Sequence, residues 1–212
     1  MRANRLRAPV AAAAAAAILG GALLLTPGPG AAAGKGAAAG LNDVEGNPVG
    51  KVKFLPRDDG KVALRVNVSG LEPGWHGIHI HTTGLCEPDA MDGETESPFF
   101  TAGPHWNPEE TDHGTHPGDI PPLYANGDGK AKSSYVTDRF KVKNLLDEDG
   151  SAVILHAGPD NLAHVPAESS SGGNRYKSFS ETDPSYSFGP DTATRGTGDA
   201  GARFACGVVA RG

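Results

Sequence analysis

Lys61-Val62-Ala63-Leu64-Arg65-Val66-Asn67-Val68 alternates apolar and polar or small residues at every step. That period of two is the mark of a strand with one face buried and one in water. Asp58-Asp59-Gly60 precedes it as a turn, and on the far side of that turn Val52 and Phe54 alternate in the same way. The two runs read as an antiparallel hairpin. Further turns fall at Asn126-Gly127-Asp128-Gly129 and Asp149-Gly150, and short strand-like runs at Val153-Ile154-Leu155 and Phe204–Val209. No stretch sustains a helical period, although Asn144–Asp147 suits one brief helical turn. Short, closely spaced strands predict an all-β sandwich or flattened barrel. Two segments, 82–121 and 157–199, are far longer than ordinary connections, and loops of that length usually carry function or are disordered.

Ahead of this domain, Arg2, Arg5 and Arg7 lead into an apolar run, Ala8–Leu25, followed by Pro27, Pro29 and Ala31-Ala32-Ala33. A basic start, an apolar stretch and a small-residue cleavage site predict a secretory signal over residues 1–33. The rival reading is an uncleaved membrane anchor, the one way in which a membrane would be a partner. Residues 34–212 are then one domain, with its fold core at about 41–212 and a secreted, periplasmic or envelope location. Removing residues 1–33 takes away three positive and no negative charges, so the formal charge falls from −6 to −9 over the remaining 179 residues. A protein this acidic is a poor partner for nucleic acid or an anionic membrane. Cys86 and Cys206 are the only cysteines. In an exported chain they read as one disulfide, with two separate buried thiols as the alternative.

The histidines gather where long loops meet strand ends. His79 and His81 sit at i and i+2 of a predicted strand, Ile78–Thr82, so both rings leave the same face about 7 Å apart. By itself such a pair is equally well a surface strand. His105, His113, His116 and Asp119 lie within fifteen residues of one loop, three nitrogens and one carboxylate oxygen that suit tetrahedral zinc of the structural kind. A loop with scattered polar residues is the plainer alternative. His156 closes a strand, and with His79, His81 and His105 it completes four nitrogens suited to tetragonal copper.

At this point three motifs in register resemble the copper/zinc superoxide dismutases. Gly74-Trp75-His76-Gly77-Ile78-His79-Ile80-His81 is similar to that family's G-x-H-G-x-H-x-H signature, with Trp75 in place of the more usual Phe or Leu. Thr101–Pro108 resembles the stretch with its bridging histidine, and Gly198–Val208 its C-terminal signature. The likeness runs from about Asp43 to Gly212. It implies an eight-stranded Greek-key β-barrel with two long functional loops. One copper per subunit is expected at His79, His81, His105 and His156, and one zinc at His105, His113, His116 and Asp119, His105 serving both. Asp160 matches the aspartate that bonds one ligand of each metal, here His79 and His113. Arg203 matches the arginine that attracts superoxide, and Cys86–Cys206 the intrasubunit disulfide. His76 matches a structural position, and His164 is expected at the surface.

The implied reaction is dismutation of superoxide to dioxygen and hydrogen peroxide by alternate reduction and reoxidation of copper. His105 releases copper on reduction, takes a proton and later delivers it. Family members are built both as monomers and as dimers, so a homodimer stays open. An anionic substrate meeting an acidic protein calls for a locally positive cleft; Arg203 would line it, and Arg175, Lys177 and Arg195 either extend it or are ordinary solvated charges. The competing readings are an exported metal buffer without turnover and a structural relative of the fold. The first leaves Arg203 and Asp160 without purpose, and the second is expected to lack copper ligands that are all present here.

Overall fold

The computed structural model describes residues 36–167 and 188–212. Residues 1–33, read above as a signal, fall outside that range, as do Arg175 and Lys177. Among the described residues eight strands have five or more residues: β1 (Ala37–Asp43), β2 (Pro48–Pro56), β3 (Val62–Val68), β4 (Gly74–His81), β7 (Asp119–Ala125), β8 (Ala131–Thr137), β9 (Ala152–His156) and β10 (Arg203–Val208). They pair antiparallel in the order β7-β4-β9-β10-β1-β2-β3-β8, and the short β11 (Ala210–Arg211) adds to β1. β5 (Met91–Asp92) and β6 (Thr95–Glu96) form a small separate hairpin.

The decisive hairpin is as the alternation predicts. Val62, Leu64, Val66 and Val68 are buried, Arg65 and Asn67 are exposed, and β2 runs beside β3 with Phe54 opposite Leu64. Consecutive strands β3 and β4 belong to different parts of the sheet, and so do β8 and β9. These crossovers are the Greek-key pattern. Phe54, Leu41, Leu64, Ile78, Ile80 and Leu155 are fully buried and fill the interior.

At the seam the barrel is joined only by a turn. Asn126 N–H donates to Lys130 O at 2.9 Å, but β7 and β8 share no ladder. Pro121 and Pro122 in β7 have no N–H to donate, so this edge cannot be fully paired, and the β4–β7 register shifts at the same place.

Helical structure is sparse, as expected, but not absent. A 3-10 turn covers Val142–Leu145, two residues earlier than the predicted Asn144–Asp147. One short helix, α1 (Thr192–Thr197), lies in the second long loop and is missed by periodicity. Six residues are too few to establish a period, and local capping defines it. The Asp191 side chain accepts from Thr194 N–H, and Gly198 turns the chain out in the left-handed conformation at φ 61°. Among the described residues no helix is long and apolar enough to cross a membrane.

Cys86 and Cys206 form a disulfide with Cα atoms 5.6 Å apart. It ties the first long loop to β10 across 120 residues of sequence. Chain-entropy arguments give such a closure about 5 kcal/mol.

Candidate metal centre

β4 builds the first part of the site. Ile78 and Ile80 point into the core, so His79 and His81 leave the opposite face, outside the barrel wall and beneath the long loops. His156 ends β9, and Arg203, its partner in register, begins β10 beside a bulge. The first loop is brought back onto β4 by backbone bonds: Thr82 N–H to Pro104 O at 3.0 Å, Trp106 N–H to Ile80 O at 2.8 Å, and Ile80 N–H to Gly118 O at 2.9 Å. His105 therefore sits opposite His81. The same bonds carry His113, His116 and Asp119 to the neighbouring space.

The ligand atoms of His79, His81, His105 and His156 lie within 4.8 Å of one another, and all four residues are buried. A second such group comprises His79, His105, His113 and Asp119. His116, expected at zinc, is outside that second group by mutual distance. Yet its Nδ1 is 3.3 Å from Asp119 Oδ1, as His113 Nδ1 is 3.1 Å and His105 Nδ1 3.4 Å. Zinc bonds of 2.0–2.1 Å in a tetrahedron imply ligand-to-ligand edges of about 3.3 Å. Three nitrogens at that spacing around one oxygen have the edge lengths of a tetrahedral zinc site.

The hydrogen bonds decide which atom each ligand presents. His79 Nε2 donates to Asp160 Oδ2 at 2.7 Å, His81 Nδ1 to Gly103 O at 2.7 Å, and His156 Nδ1 to Gly201 O at 3.0 Å. His113 Nε2 donates to Asp160 Oδ1 at 2.9 Å, so Asp160 joins a ring of each group. Asp119 Oδ2 accepts from Gly114 N–H at 2.7 Å and His116 N–H at 3.0 Å, leaving Oδ1 to the centre. What remains is a matched set of bare atoms. Among the described residues nine buried side-chain N or O atoms have no partner, and seven are His79 Nδ1, His81 Nε2, His105 Nδ1, His113 Nδ1, His116 Nδ1, His156 Nε2 and Asp119 Oδ1. Buried polar atoms are rarely left this way unless a bound ion or ligand satisfies them. The donors fit a mixed copper and zinc centre.

Protonation of His81, His105 and His156 agrees with that fit. Burial, with repulsion from His105 and Arg203, pushes His81 well below its ordinary range. Burial also lowers His105 to about 3 against the pull of the nearby Asp119 carboxylate, and burial and His79 lower His156 to about 3. Neutral rings with open lone pairs are the metal-binding form. Burial disfavours a charged His113, but the nearby Asp119 carboxylate and the bond to Asp160 override it and raise that ring to about 9. Burial likewise opposes ionisation of Asp119 and Asp160, and bonds from the histidines hold both well below the carboxylate range.

Glycine is required twice. Gly103 and Gly198 both have positive φ, and a Cβ on Gly198 would overlap Asp160 and His113 while one on Gly103 would overlap Thr82. Arg203 donates from Nη1 to Phe99 O and from Nη2 to Gly103 O, with its guanidinium 5.8 Å from the Phe100 ring. Arg195 stands on α1 with its Nη1 3.6 Å from Asp112 Oδ2, both side chains exposed. His76 is no ligand, since its two ring nitrogens face His156 O and Glu72 O. His164 is exposed, as expected.

Several groups that build the site carried no signal in sequence. The carbonyls of Gly103 and Gly201 and the N–H of Gly114 are backbone atoms. Arg139, which donates to His116 O at 3.0 Å and Gly114 O at 3.4 Å, comes from the connection after β8 and belongs to no motif.

Comparison with known proteins agrees with this geometry. The family model for copper/zinc superoxide dismutase (SODC) matches residues 49–178. A "Superoxide dismutase [Cu-Zn]" of Mycolicibacterium paratuberculosis is 36% identical over 178 residues, covering 81% of this chain and 73% of the relative. One of Escherichia coli K12 is 36% identical over 138 residues, 62% of this chain and 77% of the relative. Among solved structures, the Cu/Zn superoxide dismutase from Brucella abortus superposes with a TM-score of 0.56 at 28% identity, over 82% of this chain and 99% of that one. A SOD-like protein from Bacillus subtilis gives 0.55 at 26%, over 81% and 96%.

Proposed function

The chain belongs to the copper/zinc superoxide dismutase family, and on that premise we propose how its residues divide the work. The reaction is dismutation of superoxide: two superoxide anions and two protons become one dioxygen and one hydrogen peroxide. The cofactors are copper and zinc. Bound copper supplies the one-electron reduction and reoxidation that the reaction needs, while bound zinc adds charge and structure.

His79, His81, His105 and His156 are assigned to copper, and His105, His113, His116 and Asp119 to zinc. The observation that carries this assignment is the set of seven unpartnered buried atoms, each on one of these residues. His105 faces Asp119 through Nδ1, so Nε2 is the atom turned toward the copper ligands and the atom at which a proton is held and delivered. Asp160 fixes the orientation of His79 and His113. Arg203 is the local positive charge that draws in the anion and steadies it.

Residues 1–33 are read as a secretory signal and 34–212 as the enzyme domain, exported to the envelope, periplasm or medium. The disulfide supports an oxidising compartment. A homodimer has a surface to use: Trp75 and Tyr124, 57% and 55% exposed, pack edge to face 5.2 Å apart on β4 and the edge strand β7. Sedimentation of wild type against Trp75→Ala tests that assembly.

The activity is tested by loading the purified protein with one equivalent each of copper and zinc and following superoxide decay by absorbance after a radiolysis pulse. Fast catalysis is expected, lost without copper and weakened without zinc. Stoichiometric metal uptake without catalysed decay would leave a metal buffer on this fold.

A further inference from the structure

Net charge hides an unusual surface. The outer side of β1, β2, β3 and β8 carries Lys51, Lys53, Arg65 and Lys132, all exposed. The register arranges them as a compact array. Lys51, Asn67 and Lys132 form one row across three strands, and Lys53, Arg65 and Ser134 form the next. Strand spacing and pleat make the patch about 10 Å by 7 Å. None of the four cations has an ion-pair partner among the described residues, and the one acidic residue of these four strands, Asp43 at the end of β1, accepts from Glu45 and Asn47 N–H in the turn that follows. Acidic side chains are confined to turns at the ends, as at Glu45 and at Asp59, which pairs with Arg57. Among the described residues, one face of a chain with 25 acidic and 19 basic residues thus carries its acidic side chains only at its ends.

The shape of the face narrows what it meets. Its cations are spread in two dimensions, and no aromatic side chain stands among them to stack on a base. At one end a hollow of about 540 Å³ between Lys51, Lys130 and Lys132 has room to seat a phosphate. Lys130 is already paired with Asp128 and is not counted among the free charges. The metal ligands leave β4 and β9 in the other half of the barrel and face away from the core, so a surface bound here leaves the centre open to solvent.

We propose that this face docks the protein onto an anionic phospholipid bilayer, with the metal centre turned toward the solution. The overall negative charge does not forbid it, because exposed charges farther apart than about 8 Å are largely screened at physiological salt. Each basic side chain held near an anionic bilayer strengthens partitioning about fivefold. The proposal is independent of the enzymatic assignment.

The test is co-sedimentation of the full chain with vesicles of equal phosphatidylglycerol and phosphatidylcholine, with pure phosphatidylcholine vesicles and soluble polyphosphate as separate arms. Binding to the anionic vesicles alone is expected, falling steeply between about 0.05 M and 0.5 M salt. Lys53→Gln with Arg65→Gln should weaken it roughly 25-fold, with superoxide decay and circular dichroism unchanged. Equal binding to both vesicle types, or binding insensitive to salt and to the substitutions, would assign adhesion to the apolar run at residues 8–25 and overturn the proposal. Binding to polyphosphate without vesicle binding would also overturn it, in favour of a linear polyanion. The same salt-dependent binding by residues 34–212, which lack Arg2, Arg5, Arg7 and the apolar run, keeps the test decisive if a variant folds poorly, and its loss there would overturn the proposal.

Discussion

His81 and Arg203 hydrogen-bond the same oxygen, the carbonyl of Gly103, at 2.7 and 2.8 Å. A ring assigned to copper and the cation assigned to superoxide are thus positioned from one backbone atom, 22 residues from one and 100 from the other. Arg203→Gln should lower the second-order rate about tenfold or more and flatten its dependence on ionic strength. Arg203→Lys keeps the charge but not the fork that reaches both Phe99 and Gly103, so it should retain the salt dependence at an intermediate rate. An unchanged rate for the glutamine variant would remove Arg203 from the substrate path.

Asp160 is the joint between the two halves of the centre. In Asp160→Asn one oxygen becomes an amide that cannot accept from a ring N–H, so either His79 or His113 loses its orienting partner. Affinity for one metal should fall about 10–100-fold, and competition with a chromophoric chelator would read it. Equal affinity for both metals in the variant would mean that ring orientation is set by packing alone.

Arg139 holds the zinc loop from outside the ligand set. Arg139→Ala frees the carbonyls of Gly114 and His116, and zinc affinity of the apoprotein should drop about tenfold while copper affinity stays. Cobalt substitution, followed by its visible spectrum, checks the geometry separately. A loss of both metals together would point to general unfolding of the loop.

Tyr135 has a buried hydroxyl without a partner, and burial raises its pKa well above 10. The folded chain then keeps the proton while the unfolded chain gives it up, so native stability must fall as pH rises above about 10. Tyr135→Phe removes both the slope and the unpaired group. It should stabilise the fold by about 1 kcal/mol at neutral pH, seen in denaturant melts. A destabilised variant would show that the hydroxyl has a partner in solution.

How much of this was legible depended on the kind of signal. The β2–β3 hairpin was read correctly because alternation and an Asp-Gly turn report the same local geometry. β4 was read as Ile78–Thr82 but begins at Gly74, because Gly74, His76 and Gly77 interrupt any apolar period. α1 was missed because its definition lies in Asp191 and Gly198, not in a repeat. Arg195, read in sequence either as a steering charge or as an ordinary solvated one, stands 3.6 Å from Asp112 in space.

By itself the sequence determined the strand period, the inventory of seven metal-type ligands, the motifs that mark the family and the pair of cysteines. These are properties of side-chain identity and spacing, which neighbouring residues express without help from the rest of the chain. The tertiary structure alone decided which nitrogen of each ring is left bare, and how one face of an acidic protein came to be basic. The first depends on carbonyls and a carboxylate that approach from 22 to 81 residues away. The second depends on the register between strands, which sets Lys51 in one row with Lys132 and Lys53 beside Arg65. Partners supplied by backbone atoms and by cross-strand register leave no trace in the order of residues, because only folding brings them within reach.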